Sequence, residues 1–431
     1  MNVGIIGGGI AGLTAAYELS KGGHEVALFE KESYLGGQVA TFEVAGERLE
    51  RFYHHIFTTD IDIIQQIDEL GLSQELLWLD SKVGFFHQGQ IYDFVTPMEL
   101  LKFSPVGLVD RVRLGLISLY LRRYKNWPHF EGVTAQEWIT KYAGRRNYEV
   151  VWGPLLRGKF GANSDEVGMV WLWGKIHLRL TSRSGGKERL GYMRGSFALL
   201  IEALKQRIMD HGGKIYTASP VDKIVAQGER AVGLEVGGEF YPFDAVIATV
   251  PSPAFLKIAP PLLEEYAQKL KGVRYQEAVC LVLILKRPLS HIYWLNISDP
   301  SIPFVAVIEH TNLVHPSLYS GRRIVYVSNY VFEGSPLYLL DADGLLAEYL
   351  PHLRKINPDF DPGWIEERYL FREEAAQPII TVHYSSRIPD HRTPISRLYL
   401  ANTTQIYPED RGMNYSVRLG RRVATLVGGE G

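Results

Sequence analysis

Three things are scarce in this chain. It has one cysteine in 431 residues, Cys280, which excludes a disulfide framework and any thiolate-rich metal cluster. Neither sign of charge dominates: 46 basic side chains face 48 acidic ones, for a net charge of −2. No global field therefore draws nucleic acid or an acidic membrane. No apolar run reaches the roughly 18 residues of a membrane span, and the apolar start "MNVGIIGGGIAGLTAAYEL" lacks the basic region of a signal peptide. A cytoplasmic location is the expectation. Hydrophobic residues at 46% and charged ones at 22% describe a soluble globular protein, long enough for two or three domain-sized bodies. Cys280 lies in "AVCLVLIL", which predicts a buried strand and an inert thiol.

The start of the chain is rich in glycine. "VGIIGGG" reads as a strand running into a turn, "IAGLTAAYELSKGG" as a helix stopped by paired glycines, and "HEVALFEK" as a second strand. Gly7, Gly9 and Gly12 set the G-x-G-x-x-G spacing of a dinucleotide-binding βαβ unit. Gly7 permits the bend, Gly9 lets a pyrophosphate reach the backbone, and Gly12 lets the helix pack on the strand. The helix N-terminus then offers free N–H groups and partial positive charge to the phosphates. Glu30 lies 18 residues beyond Gly12, where a carboxylate accepts hydrogen bonds from a ribose hydroxyl. Only one such glycine pattern occurs, so no second nucleotide fold brings NAD(P)H.

After Glu30 and Lys31 comes a second glycine pair, Gly36-Gly37, in "SYLGGQ". The combination resembles the FAD-binding head of the amine oxidase, protoporphyrinogen oxidase and phytoene desaturase superfamily. The resemblance implies an α/β fold: a Rossmann-like FAD-binding domain of glutathione-reductase type with a β-meander, plus a discontinuous α+β substrate domain. The expected division is 1–59, 195–258 and 393–431 for FAD, and 60–194 and 259–392 for substrate. It implies non-covalent FAD held by Gly7, Gly9, Ala11, Gly12, Glu30, Lys31, Gly36, Gly37 and Gln38, with the backbone of Val221 at the adenine. The C-terminal "ANTTQIYPEDRGMNYSV" resembles the family's closing strand, loop and helix. Asn402 there stands at the ribityl position, and the helix from Met413 at the flavin. Gln38 replaces the family's arginine, which removes a charge beside the pyrophosphate.

Within the same resemblance, "ERFYHHIF" crosses from the FAD domain toward a substrate cavity. His54 and His55 are adjacent, so on a strand they face opposite ways, and no partner at metal-ligand spacing accompanies them. Either one of them serves acid–base chemistry or both are structural. The run "WGPLLRGKFG", with "LGYMRGSFALL", matches the protoporphyrinogen oxidase branch. Arg157, Lys159, Arg179, Arg183 and Arg194 make the region basic. If two or more face the cavity, the substrate is an anion gripped by guanidinium forks; otherwise they are a solvated surface. The catalytic candidates are His54, His55, Arg157 and Arg194, with Gln377 and Pro378 expected near the flavin edge.

Amine oxidases of the family carry a lysine near the flavin N5 and a tyrosine in an aromatic cage. Those positions fall here on Val279 and Gly412, which tells against amine oxidation. Three functions stand: an FAD-dependent oxidation or desaturation of a small organic molecule with a separate electron acceptor, a sugar-nucleotide isomerisation suggested by the likeness of "HHIFTTD" to UDP-galactopyranose mutases, and a flavin-binding assembly factor. The helix "VDRVRLGLISLYLRRYKNWP" is basic and amphipathic; its apolar stripe is expected to be core and its basic face solvated, ahead of a membrane contact.

Overall fold

The computed structural model describes residues 1–183 and 188–429. The chain opens with strand β1 (Asn2–Ile6), helix α1 (Ile10–Lys21) and strand β2 (Glu25–Phe29). The expected stop at Gly22-Gly23 is used: Gly22 N–H caps the carbonyl of Glu18, and Gly23 turns the chain at φ +82°, a conformation glycine adopts freely. A run of helices follows, α2 (Pro97–Lys102), α3 (Leu108–Arg123), α4 (Ala135–Tyr142), α5 (Gly153–Phe160) and α6 (Met169–Thr181). The chain then returns through α7 (Ala198–Asp210) and β3 (Lys214–Tyr216). A meander, β4 (Val221–Gln227), β5 (Arg230–Val236) and β6 (Glu239–Pro242), leads to β7 (Ala245–Ala248). Its expected turn at Gly237-Gly238 has both residues at positive φ, +59° and +79°, as a two-residue hairpin demands.

The long strands β8 (Tyr275–Leu285), β9 (Arg323–Val331) and β10 (Ile365–Pro378) come next, and the chain closes with β11 (Leu398–Leu400) and α8 (Met413–Gly428). The meander β4-β5-β6 is a sheet of its own, and two larger sheets organise the other strands. One is a five-stranded parallel sheet in the order β3-β2-β1-β7-β11. The other is seven-stranded, running β10-β8-β9 and on through Ala306–Glu309, Trp294–Ile297, Val83–His87 and Gln90–Asp93. β8 shows why "AVCLVLIL" is apolar throughout. Cys280, Val282 and Ile284 pack into one core while Val279, Leu281 and Leu283 pack into another, so both faces are covered.

One condition is not met and one expectation fails. His54 and His55 do not lie on a strand; they sit in an irregular stretch before the two-residue strand Ile56–Phe57. The apolar stripe of α3 is not simply core. Leu114 and Leu121 are buried, but Leu108, Val109, Val112, Leu116, Leu119 and Tyr120 are exposed. The helix is apolar on two faces, and only one has protein against it.

Candidate active site between the two sheets

The glycine loop has the shape its spacing predicts. Gly7 turns at φ +103° and donates its N–H to Phe29 O at 2.8 Å, tying the bend to β2. A Cβ on Gly12 would stand 2.0 Å from Gly7 O, whereas one on Gly9 would meet nothing nearer than Gly37 Cα at 4.0 Å. Gly12 is thus the packing glycine and Gly9 the open one. Gly36, at φ +110°, donates to Gly8 O at 2.8 Å, so the two glycine turns form one backbone-lined cradle. The N-terminus of α1 has no side-chain cap, which leaves its N–H groups for a phosphate. Glu30 is buried and accepts from Gly8 N at 2.6 Å and Glu32 N at 2.9 Å, holding the loop to the end of β2. This cradle fits an ADP-type dinucleotide end.

The other expected cofactor residues are distributed as follows. Ala11 lies in the first turn of α1 and Val221 opens β4. Lys31 points outward, exposed and 3.6 Å from Glu32. Asn402 is buried with its amide fully used: it accepts from Thr404 and donates to Val250 O at 3.0 Å and Ser252 Oγ at 3.3 Å. Met413 is the buried first residue of α8, whose N-cap, Gly412, supplies no side chain.

Arg157 and Arg194 do not enter the site. Arg157 is exposed, and Arg194 pairs at the surface with Glu75 at 3.2 Å. The physical reason is helical geometry. Residues two apart on α5 are turned by about 200°, so Arg157 faces out where Lys159 faces in. Lys159 Nζ meets Asp410 Oδ2 at 2.9 Å, and Lys175 Nζ from α6 meets the same oxygen at 2.9 Å. The other carboxylate oxygen accepts from Trp171 Nε1 at 2.9 Å and Gln377 Nε2 at 3.0 Å. Next to it, Arg411 donates to Gln377 Oε1 (3.0 Å), Gln38 Oε1 (2.8 Å) and the Tyr330 hydroxyl (2.9 Å). Gln38 belongs to the glycine loop, Gln377 to β10 and Tyr330 to β9. One half-buried arginine therefore joins the dinucleotide cradle to the seven-stranded sheet.

Three cations share one aspartate here. Burial would raise the Asp410 carboxyl, but Lys159, Lys175 and Arg411 outweigh it and hold it well below its usual range. Burial lowers the Lys159 ammonium, and Asp410 offsets only part of that. Burial acts to raise the Tyr330 phenol, yet Arg411 and Lys159 bring it below its usual value. Arg179 pairs instead with Glu188 at 3.0 Å and lies over the Trp294 ring, while Arg183 donates to Val95 O.

The two histidines have different neighbours. His54 bonds through Nδ1 to Phe52 O at 2.7 Å, so Nδ1 carries the proton and Nε2 is the acceptor; burial, with Arg411 adding to it, lowers its pKa to about 4. His55 reaches the Tyr293 hydroxyl at 3.1 Å among the rings of Phe57, Tyr293 and Trp294, and burial followed by Arg179 depresses it strongly. Both are neutral at pH 7. Lys175, Tyr330, Asp410 and Arg411 were not singled out by sequence reasoning. The signal for Asp410 and Arg411 was "PEDRGM", a charged pair beside the N-terminus of α8.

The fold and the cradle define a dinucleotide-binding flavoprotein class. The family model described as flavin containing amine oxidoreductase matches residues 10–428, nearly the whole chain, so the protein belongs to that family of FAD-dependent oxidoreductases. Its curated relatives include a 4,4'-diapolycopen-4-al dehydrogenase of Metabacillus indicus, 25% identical over 284 residues, or 60% of this chain and 58% of the relative. The chain thus spans less than two thirds of that protein. A zeta-carotene desaturase of Zea mays is 32% identical over 491 aligned positions, covering all of this chain and 84% of the relative. Among solved structures, a protoporphyrinogen oxidase-like protein of Exiguobacterium sp. 255-15 superposes with a TM-score of 0.79 at 17% identity, across 100% of this chain and 99% of that one. The likeness is one of fold.

Proposed function

We propose that the protein dehydrogenates or desaturates an apolar, conjugated organic substrate at a C–H bond, with FAD held non-covalently. The observation that carries this reading is the make-up of the site: the cations around Arg411 gather on the cradle side, while the surroundings of His55 are aromatic, with Arg179 over the Trp294 ring and paired to Glu188. Bound FAD supplies the two-electron acceptor for the hydride. The chain's own residues do the rest. The α1 N-terminus and the glycine cradle hold the pyrophosphate, and Glu30 the ribose. Arg411, fixed by three hydrogen bonds beside the cradle, would offer a permanent positive charge to a flavin that gains electrons. The proton lost from the neighbouring carbon goes to a neutral acceptor, a role this reading gives to His54 Nε2, with Nδ1 held by Phe52 O. Tyr53 and Trp294, both half-buried, supply the aromatic surface for a flat apolar substrate.

Amine chemistry is disfavoured because Val279 lies in an apolar core and Gly412 offers no ring. The curated relatives, a dehydrogenase and a desaturase, set redox chemistry ahead of sugar-nucleotide isomerisation. The test is anaerobic mixing of the yellow holoprotein with a detergent-solubilised polyene precursor, a porphyrinogen or an amine. Bleaching by the polyene is the expected result. Bleaching by the amine alone, or activity on a UDP-sugar after dithionite reduction, overturns the reading.

A further inference from the structure

We propose that α2 and α3 form a surface that docks on an anionic lipid bilayer. Sixteen large hydrophobic side chains are exposed among the described residues, and nine of them fall between Met98 and Tyr142. Leu108, Val112, Leu116 and Leu119 recur at helical spacing, so they share one face of α3. Val109, 78% exposed, and Tyr120 widen it, and Met98 and Leu101 of α2 extend it. The opposite face, through Leu114 and Leu121, is the one that packs inward. An apolar helix face this broad and bare is uncommon on a protein that meets only water.

The charge around the patch names the occupant. Residues 101–130 contain six basic side chains and one acidic, in a chain whose totals nearly balance. Arg111 is spent on the carbonyls of Val106 and Leu101. Lys102, Arg113, Arg122, Arg123 and Lys125 are exposed. On the helical wheel Arg113 and Arg122 flank the apolar arc on its two sides. Tyr120 stacks with Tyr124 and Trp138, and Trp138 meets Tyr142 at a tilt, a set of amphipathic rings of the kind that settles at headgroup level. Apolar centre, basic flanks and aromatic edge together are the pattern of an interfacial helix lying on acidic lipid.

The surface also has a position relative to the site. Trp173 Nε1 donates to Tyr124 O, and His177 Nδ1 lies 3.3 Å from Leu121 O. Trp171 and Lys175, on the other side of α6, reach Asp410. The patch and the cationic cluster are therefore separated by two stacked helices, α3 and α6, on the order of 20 Å. Docking is argued from the patch alone and stands whether or not the substrate is lipophilic.

The test is flotation of the full-length holoprotein with vesicles, either an equimolar mixture of phosphatidylglycerol and phosphatidylcholine or phosphatidylcholine alone. The expected result is co-flotation with the anionic vesicles only. Val112→Glu with Leu116→Glu abolishes it, and Arg122→Gln with Arg123→Gln weakens partitioning on the order of thirtyfold, each lost cation contributing about a factor of five. Both pairs are exposed, so flavin absorbance and the thermal transition should be unchanged. The proposal is overturned if the wild type stays in the aqueous fraction, if binding ignores anionic lipid, or if the glutamate variants bind equally well. It is also overturned if the lipid-free protein is a dimer that Val112→Glu with Leu116→Glu splits, since a second copy then covers the face. Flavin bleaching by an amine alone alongside intact flotation sinks the substrate reading and leaves the surface standing.

Discussion

At the scale of single residues, the most telling exchange is Gln38. The resembling family carries an arginine there, and its loss looks like lost charge at the cofactor. The structure puts a cation back from elsewhere, since Arg411 donates to Gln38 Oε1 at 2.8 Å. Gln38→Arg should therefore set two guanidinium groups against each other and weaken FAD binding by on the order of tenfold, read as the Kd from flavin fluorescence on reconstitution of the apoprotein. Gln38→Arg with Arg411→Gln should recover most of the loss, and additive losses would show that the two sites are independent. Asp410 is the counterpart. Asp410→Asn leaves Lys159, Lys175 and Arg411 facing one another without a carboxylate, and removing one member of a buried ionic group costs about 3–5 kcal/mol, measurable by urea denaturation. The choice between Arg157 and Lys159 was not legible in the sequence. Both are basic and two positions apart, and only the orientation of α5 decides which one is buried.

At the scale of elements, legibility followed locality. The βαβ unit, the meander and the closing helix each announce themselves within about thirty residues, through glycine at fixed offsets and runs of one period, and each was found where expected. What failed were features set by distant partners. The opposite-faces argument for His54 and His55 holds only on a strand, yet the stretch has no strand to pair with until Ile56 meets Gly191. The two-faced apolar pattern of α3 gives no sign of which side the rest of the chain will cover. One close approach was also invisible: α8 crosses α1 at Gly420, where a Cβ would lie 2.5 Å from Ala11 O and 2.7 Å from Thr14 Cβ. Gly420→Ala must push the helices apart. An overpacked contact of this kind costs about 1–3 kcal/mol, and because Ala11 belongs to the first turn of the phosphate-facing helix, flavin retention through gel filtration should fall with stability. A stable, fully yellow Gly420→Ala protein would show that the crossing tolerates a methyl group.

At the scale of the whole molecule, buried ionisable groups pull stability in opposite directions with pH. Burial raises Glu50 from its usual 4.5 to about 7, Glu309 also to about 7, and Asp60 to about 6. Burial lowers His54 from 6.5 to about 4 and His310 to about 3. A carboxyl raised in the folded state stays protonated there while the unfolded chain ionises, so its contribution to stability falls as pH rises from 4.5 to 7. A histidine lowered in the folded state does the reverse below pH 6.5. Glu50 matters most because of where it sits. Its oxygens accept from Tyr192 OH and Phe197 N, each at 2.7 Å, and Tyr326 of β9 donates to its backbone carbonyl at 2.7 Å. It thus ties the segment leaving the cradle to α7 and the seven-stranded sheet. Glu50→Gln keeps an acceptor for Phe197 and can donate to the Tyr192 oxygen, so the neutral network survives without the ionisation. The variant should match the wild type near pH 4.5 and pull ahead as pH rises, reaching about 3 kcal/mol above pH 7 at 1.4 kcal/mol per pKa unit, as followed by urea denaturation across that range. A gap that closes with rising pH would mean Glu50 is buried as the carboxylate, with a cation near it that this network lacks.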